Sequence, residues 1–211
     1  MPKPLTTLES KSSPRRQNRL KLQAWCVSGI QPSLDEWTQS VEQSSILVRQ
    51  HLLTMCAFLD WPAHLDVCLS QGAKMNESTS TNELNRYGFN MGNQETTHAK
   101  VLGNKNMTAF EIAIMSNHFG LALSLIKRGQ LKEEKINNEV EAWNPVAHLC
   151  QLRIEYQSFD KKENIKDLVS LAEEMLKNGW DFNQKIRNSS GICLAICYKI
   201  TPLVTLLWGA P

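Results

Sequence analysis

The sequence predicts an all-α chain of stacked helical hairpins, on three observations. Apolar residues recur three and four positions apart through most of the chain, and strand signals are scarce. The distance from His51 to Gly72 also equals that from Thr108 to Gly129, with similar residues between. A single hairpin of two short helices buries too little apolar area to stand alone, so copies at matched spacing predict neighbours that cover one another.

Residues 1–19, "MPKPLTTLESKSSPRRQNR", mix Pro, Ser, Thr and basic residues with almost no large hydrophobes, which predicts a disordered leader. Residues 20–46 follow as an N-terminal helical cap. There "RLKLQAWCVSG" and "SLDEWTQSVEQ" keep the helical spacing, and Pro32-Ser33 supplies a turn and an N-cap. Residues 47–211 hold about four divergent copies. The first is "HLLTMCAFLDWPAHLDVCLSQGA", and the second, "MTAFEIAIMSNHFGLALSLIKRG", is split by the polar break Ser116-Asn117-His118. A third opens at "NPVAHLC", is interrupted, and resumes as "LVSLAEEMLKNGWDFNQ"; a fourth is "SGICLAICYKITPLVTLLWGA". Insertions are predicted near 77–103 and 153–165. The Asn-rich stretch Lys74 to Asn106 reads as a long loop or irregular hairpin, and Asp160 to Asn164 as a charged insert.

Composition narrows the function classes. The 211 residues are 42% hydrophobic and 21% charged, ordinary for a soluble globular chain of one or two domains. A net charge of +2 and a pI near 8.2 fall below what a dedicated nucleic-acid binder carries. No apolar run suits a signal peptide or approaches the roughly 18 residues of a membrane span. The 6 cysteines form no CxxC pair, which favours reduced thiols and an intracellular, cytoplasmic working place.

The copies resemble ankyrin repeats. That unit enters a short helix through T-P-L-H-x-A-A, breaks at G-H, continues in a helix rich in Val and Leu, and closes on G-A and a turn ending near Asn. The second copy keeps Thr108, Phe110, Ala113, Asn117-His118 and Gly129. The first keeps Leu53, Ala57, Leu69, Gly72-Ala73 and Asn76; the third keeps Pro145, Leu176, Gly179 and Asn183. The fourth keeps Leu194-Ala195, Leu206-Leu207 and Gly209-Ala210. No copy has the complete T-P-L-H motif, and the Gly of G-H is replaced in every one. The resemblance implies that His118 holds a turn. Small residues Ala57, Ala113 and Ala195 permit close stacking, and Gly72, Gly129 and Gly179 stand where a left-handed helix cap is needed.

Catalytic constellations are weak. His51, His64, His98, His118 and His148 form no paired-ligand motif with the cysteines, so no metal and no cofactor is expected. Cys56 and Cys150 stand at small-residue positions and Cys193 and Cys197 on one helix face, so burial is expected of each. Glu133-Glu134 and Glu173-Glu174 read as solvated helix faces.

Binding remains. Ankyrin partners lie against the concave face formed by the turn tips and first helices, which here implies Phe58, Leu59, Lys105, Met107, Met115, Trp143, Gln151 and Tyr198, with Gln50 and Ser116 beside them. Large apolar and aromatic residues at exposed positions are interface types. Insertions folded back over the face would instead bury them. The nearly uncharged last copy is a further anomaly. Together these features resemble an ankyrin-containing bacterial effector, secreted into the host cell without a cleavable signal and binding a host protein. An intracellular adaptor or immunity protein is the alternative, and a cysteine-dependent effector enzyme the third reading.

Overall fold

The computed structural model describes residues 13–88, 106–128, 144–150, 162–183 and 189–209, and these are mostly helical. Helices α1 (Pro14–Ser28) and α2 (Leu34–Glu42) precede α3 (Ile46–Leu59) and α4 (Pro62–Ser70). Next come β1 (Thr79–Ser80), α5 (Thr81–Leu84) and a 3-10 turn at Asn85–Tyr87, then β2 (Asn106–Met107). The chain continues through α6 (Ala109–Met115), α7 (Phe119–Lys127), α8 (Pro145–Cys150), α9 (Lys162–Lys177), α10 (Gly191–Cys197) and α11 (Thr201–Trp208).

Local chemistry sets the helix starts. Ser33, Ser45, Thr108 and Ser190 each accept a backbone N–H with the side-chain oxygen, and Asn144 Oδ1 accepts two, from Val146 and Ala147. At α6 the cap is reciprocal, because Glu111 reaches back to the Thr108 N–H at 2.8 Å. Three hairpin turns then repeat one geometry. Asp60, Asn117 and Lys199 take φ of 56, 62 and 58°, and the N–H that follows each bonds back into the preceding helix. Those bonds run from Trp61 to Cys56 O, His118 to Ala113 O and Ile200 to Ala195 O, each at 2.9 Å. The left-handed residue thus stands where the resemblance implies glycine. Lys199 has no local side-chain bond of the kind that eases Asn and Asp into this region. Lys199→Gly is therefore expected to stabilise the chain by about 1 kcal/mol, read as a higher urea midpoint; a lower midpoint would remove the strain from the account.

The hairpins stack. First helices pack in the order α3, α6, α8, α10; among second helices α9 packs against both α7 and α11, and α2 lies against α4. Arg128, just past the end of α7, reaches Asp66 in the middle of α4 at 2.7 Å. Gly72 and Gly179 close α4 and α9 at φ 92 and 85°, each followed by a bond from the next N–H into the helix, Ala73 to Cys68 O and Trp180 to Met175 O. Gly209 departs from this pattern, capping α11 at φ −90°. Gly129 lies outside the described residues.

Three boundaries differ from the sequence reading. Residues 1–12 of the expected leader lie outside the described residues, but helix α1 already begins at Pro14, because Pro at the first turn is preset for a helix. The expected loop after Lys74 contains α5 and the 3-10 turn, and its ends are pinned by antiparallel pairing of Thr79 with Met107 and Ser80 with Asn106. Helix α9 begins at Lys162, within the expected second insertion.

The cap is locked by aromatic packing and hydrogen bonds. Trp37 is fully buried among Trp25, Trp61 and His64, and its indole N–H donates to the His64 carbonyl at 3.1 Å. His64 Nε2 donates to the Pro32 carbonyl at 2.9 Å, leaving Nδ1 to accept from Gln31 Nε2 at 3.1 Å. Arg49 donates to the carbonyls of Val41, Glu42 and Gln71 at 3.0, 2.8 and 2.6 Å, bracing the C-terminal ends of α2 and α4 with one fork.

Candidate functional site

The face expected to bind is largely closed along its first hairpins. Every residue of α3 from Gln50 to Ala57 is buried, since α4 and α6 pack against this helix and α5 and β1 add to the cover. Gln50, expected near a turn tip, is 4% exposed; its amide donates to the carbonyls of Lys74 and Glu77 and accepts the Lys74 N–H, all at 2.9 Å. In α6 six residues are buried, and Phe110 packs against Trp180 with ring centroids 5.7 Å apart. Met107 and Met115, expected on the exposed face, are 0% and 8% exposed. The two are buried for different reasons: antiparallel pairing with Thr79 covers Met107, and helix stacking covers Met115.

Phe58 and Leu59 are half-buried at the end of α3, and Tyr198 is half-buried at the C-cap of α10. Leu59, Ser116 and Tyr198 hold one place in the three described turns, directly before the left-handed residue. Lys105, Trp143 and Gln151 lie outside the described residues. The turns are tied across hairpins. His118 Nε2 donates to the Phe58 carbonyl at 3.0 Å with Nδ1 3.9 Å from Asp60 Oδ2, and His148 Nε2 lies 3.3 Å from Asn117 Oδ1. Both histidines therefore join neighbouring hairpins.

Large apolar residues are exposed at both ends of the described chain, at Leu20, Val27, Ile30, Leu34, Ile46 and Leu47 and again on the last hairpin. Ile196 is 50% and Trp208 78% exposed, with Ile192, Val204 and Leu206 half-buried beside them. Cys193 and Cys197, expected to be buried, are exposed on α10. The near absence of charge in this copy was the available signal; its direction of exposure depends on which side α8 and α9 occupy. Cys26, Cys56, Cys68 and Cys150 are buried. Burial pushes the Cys26 and Cys150 thiols up to about 12; burial, and next its neighbour Cys68, also raises the Cys56 thiol well above the usual range. A protonated thiol in apolar surroundings is a poor nucleophile.

Desolvation pushes the His51 imidazole below 6.5; Glu83 opposes this, and Arg86 and Arg19 reinforce it. Its ring packs edge-on to Tyr87 at 5.9 Å. The folded chain thus binds a proton here more weakly than the unfolded chain. The contribution of His51 to stability is full above pH 6.5 and declines as pH falls from 6.5 towards the lowered folded value. Urea unfolding between pH 7.5 and 5 is expected to show this decline, and His51→Gln to flatten it; an unchanged profile in the variant would assign the decline elsewhere.

Among the described residues no group of three or more His, Cys, Asp or Glu could hold a metal ion, and no helix is long and apolar enough to cross a membrane. No family model matches the chain, and no curated protein or solved structure matches it significantly.

Proposed function

We propose that the chain is a non-enzymatic, ankyrin-like solenoid that binds another protein, and that the contact centres on the last hairpin. One observation carries this reading: Ile196 and Trp208, both large and apolar, are exposed at 50% and 78% on one nearly uncharged hairpin. Exposed Trp with an apolar surround is the composition of an interface hot spot. The ankyrin likeness is supported by the three turns of one geometry, the capped first helices and the glycine closures of α4 and α9. Tyr198, Phe58 and Leu59 extend the surface along the row of turns, whereas Met107 and Met115 leave it.

This reading extends to a bacterial effector that meets a host protein; an adaptor or immunity protein would use the same hairpin in the producing cell. A cysteine-dependent enzyme would have to use Cys193 or Cys197, since Cys26, Cys56, Cys68 and Cys150 are all buried.

The test is capture from host-cell and bacterial lysates with the wild type and an Ile196→Asp/Trp208→Ala variant, both first shown to be folded by circular dichroism. A partner retained by the wild type and weakened at least roughly tenfold by the variant is expected. Equal capture by the two chains would move the interface off the last hairpin.

A further inference from the structure

A cleft of about 440 Å³ lies where α1 crosses the corner between α2 and α3. Arg15 and Arg19 line it from α1, and Gln43, Ser44 and Ser45 from the opposite wall. The two arginines stand four apart, hence on one helix face. Neither makes an ion pair among the described residues, and no acidic residue lines the cleft. Helix α1 itself, "PRRQNRLKLQAWCVS", contains no Asp or Glu.

Position is set by the fold. Asn18, between the two arginines, donates through Nδ2 to the Ser40 carbonyl at 2.8 Å and so fixes α1 against the end of α2. Ser44 spends its proton on the same carbonyl at 2.9 Å. The Ser45 hydroxyl accepts the Val48 N–H at 3.4 Å, which leaves its own proton to donate. Two arginines and a hydroxyl-bearing serine therefore line a space that no acidic residue lines among the described residues, beside the positive end of the 14-residue α3. The arginine pair carries the inference, and the helix end adds to it.

We propose that this cleft binds a phosphomonoester dianion. A tetrahedral group with two charges and three oxygens can engage both forks at once, whereas a carboxylate fills one. The cleft lies within the size range of small-molecule sites, so it has room for the organic group that carries the phosphate. A phosphorylated side chain and a small phosphorylated metabolite share this chemistry. The site is separate from the last hairpin and does not rest on the reading given for it.

The experiment is an amide NMR titration of the full chain at constant ionic strength with inorganic phosphate, a neutral pentapeptide bearing phosphoserine, and a sugar phosphate. Saturable shifts confined to Arg15, Arg19 and the Ser44 to Val48 segment are expected. Arg15→Gln/Arg19→Gln should weaken binding about tenfold, and Arg16→Gln, which does not line the cleft, should leave it unchanged. Should the double variant lose its fold, Arg19→Lys tests the same point, since it keeps the charge and loses the fork; a threefold weakening is expected. Tighter binding of the peptide assigns the phosphate to a protein, and tighter binding of the sugar phosphate assigns it to a metabolite. Shifts that spread without saturating, or variants that bind as the wild type does, overturn the site.

Discussion

Trp37→Ala is expected to destabilise the chain by about 3–5 kcal/mol, the range for truncating a fully buried large aromatic. Three effects act together at this residue. The indole is 0% exposed, its neighbours Trp25 and Trp61 lie 6.1 and 6.0 Å away, and its N–H satisfies the His64 carbonyl. Truncation leaves a cavity between α2 and α4 and an orphaned acceptor beside it. Since an ordinary domain is stable by about 5–15 kcal/mol, such a loss would put folding itself at risk. Urea unfolding checks the size, and Trp37→Phe separates the parts: keeping a ring and losing the donor should cost only about 1–2 kcal/mol. An alanine variant within about 1 kcal/mol of the wild type would mean that α2 does not cap the stack.

Gly191→Ala should cost about 2–3 kcal/mol, and its effect should be local. A β-carbon at Gly191 would sit 2.6 Å from the Phe182 carbonyl oxygen and 3.2 Å from Cys150 Sγ. The first obstacle is backbone, which cannot swing aside. Moreover, Gly191 N–H donates to that same carbonyl at 2.8 Å, so any retreat of α10 breaks a bond that seats the last hairpin. Hydrogen exchange should show α10 and α11 losing protection first while α3 and α4 stay protected. Uniform loss along the chain would show that the hairpins unfold as one unit. Because the proposed protein contact lies on α10 and α11, the same variant should weaken capture even though it changes no surface residue.

Helical hairpins were legible where the signal is local. Thr108, the break at Asn117-His118, and the glycines at 72 and 179 each bear on backbone geometry within a few residues, and the structure uses them so. The start of α1 at Pro14 had a local signal too, in Ser13-Pro14, but the polar composition around it outweighed it. Exposure was far less legible. Met107 and Met115 stand at positions that the repeat template turns outward, yet a two-residue β-pair and the stacking of α6 bury them. Gln50 looks like a surface amide until the loop at Lys74 closes on it. Cys193 and Cys197 show the reverse, apolar neighbours in sequence and solvent in space. Each depends on a partner segment distant in the chain, which periodicity does not encode. The arginine cleft was hidden for a simpler reason, since its first wall lay in the presumed leader.

The left-handed turn residues have an evolutionary consequence. Glycine at those corners would make every hairpin interchangeable, so that copies could be duplicated, deleted or shuffled freely. Here Asp60 faces His118 and Asn117 faces His148, so two of the three described corners carry their own matching pair. A transposed hairpin would meet the wrong counterpart on both sides. Such an array diversifies by point substitution within fixed addresses and resists growth by recombination, so relatives of this chain should share its hairpin number more faithfully than its residues.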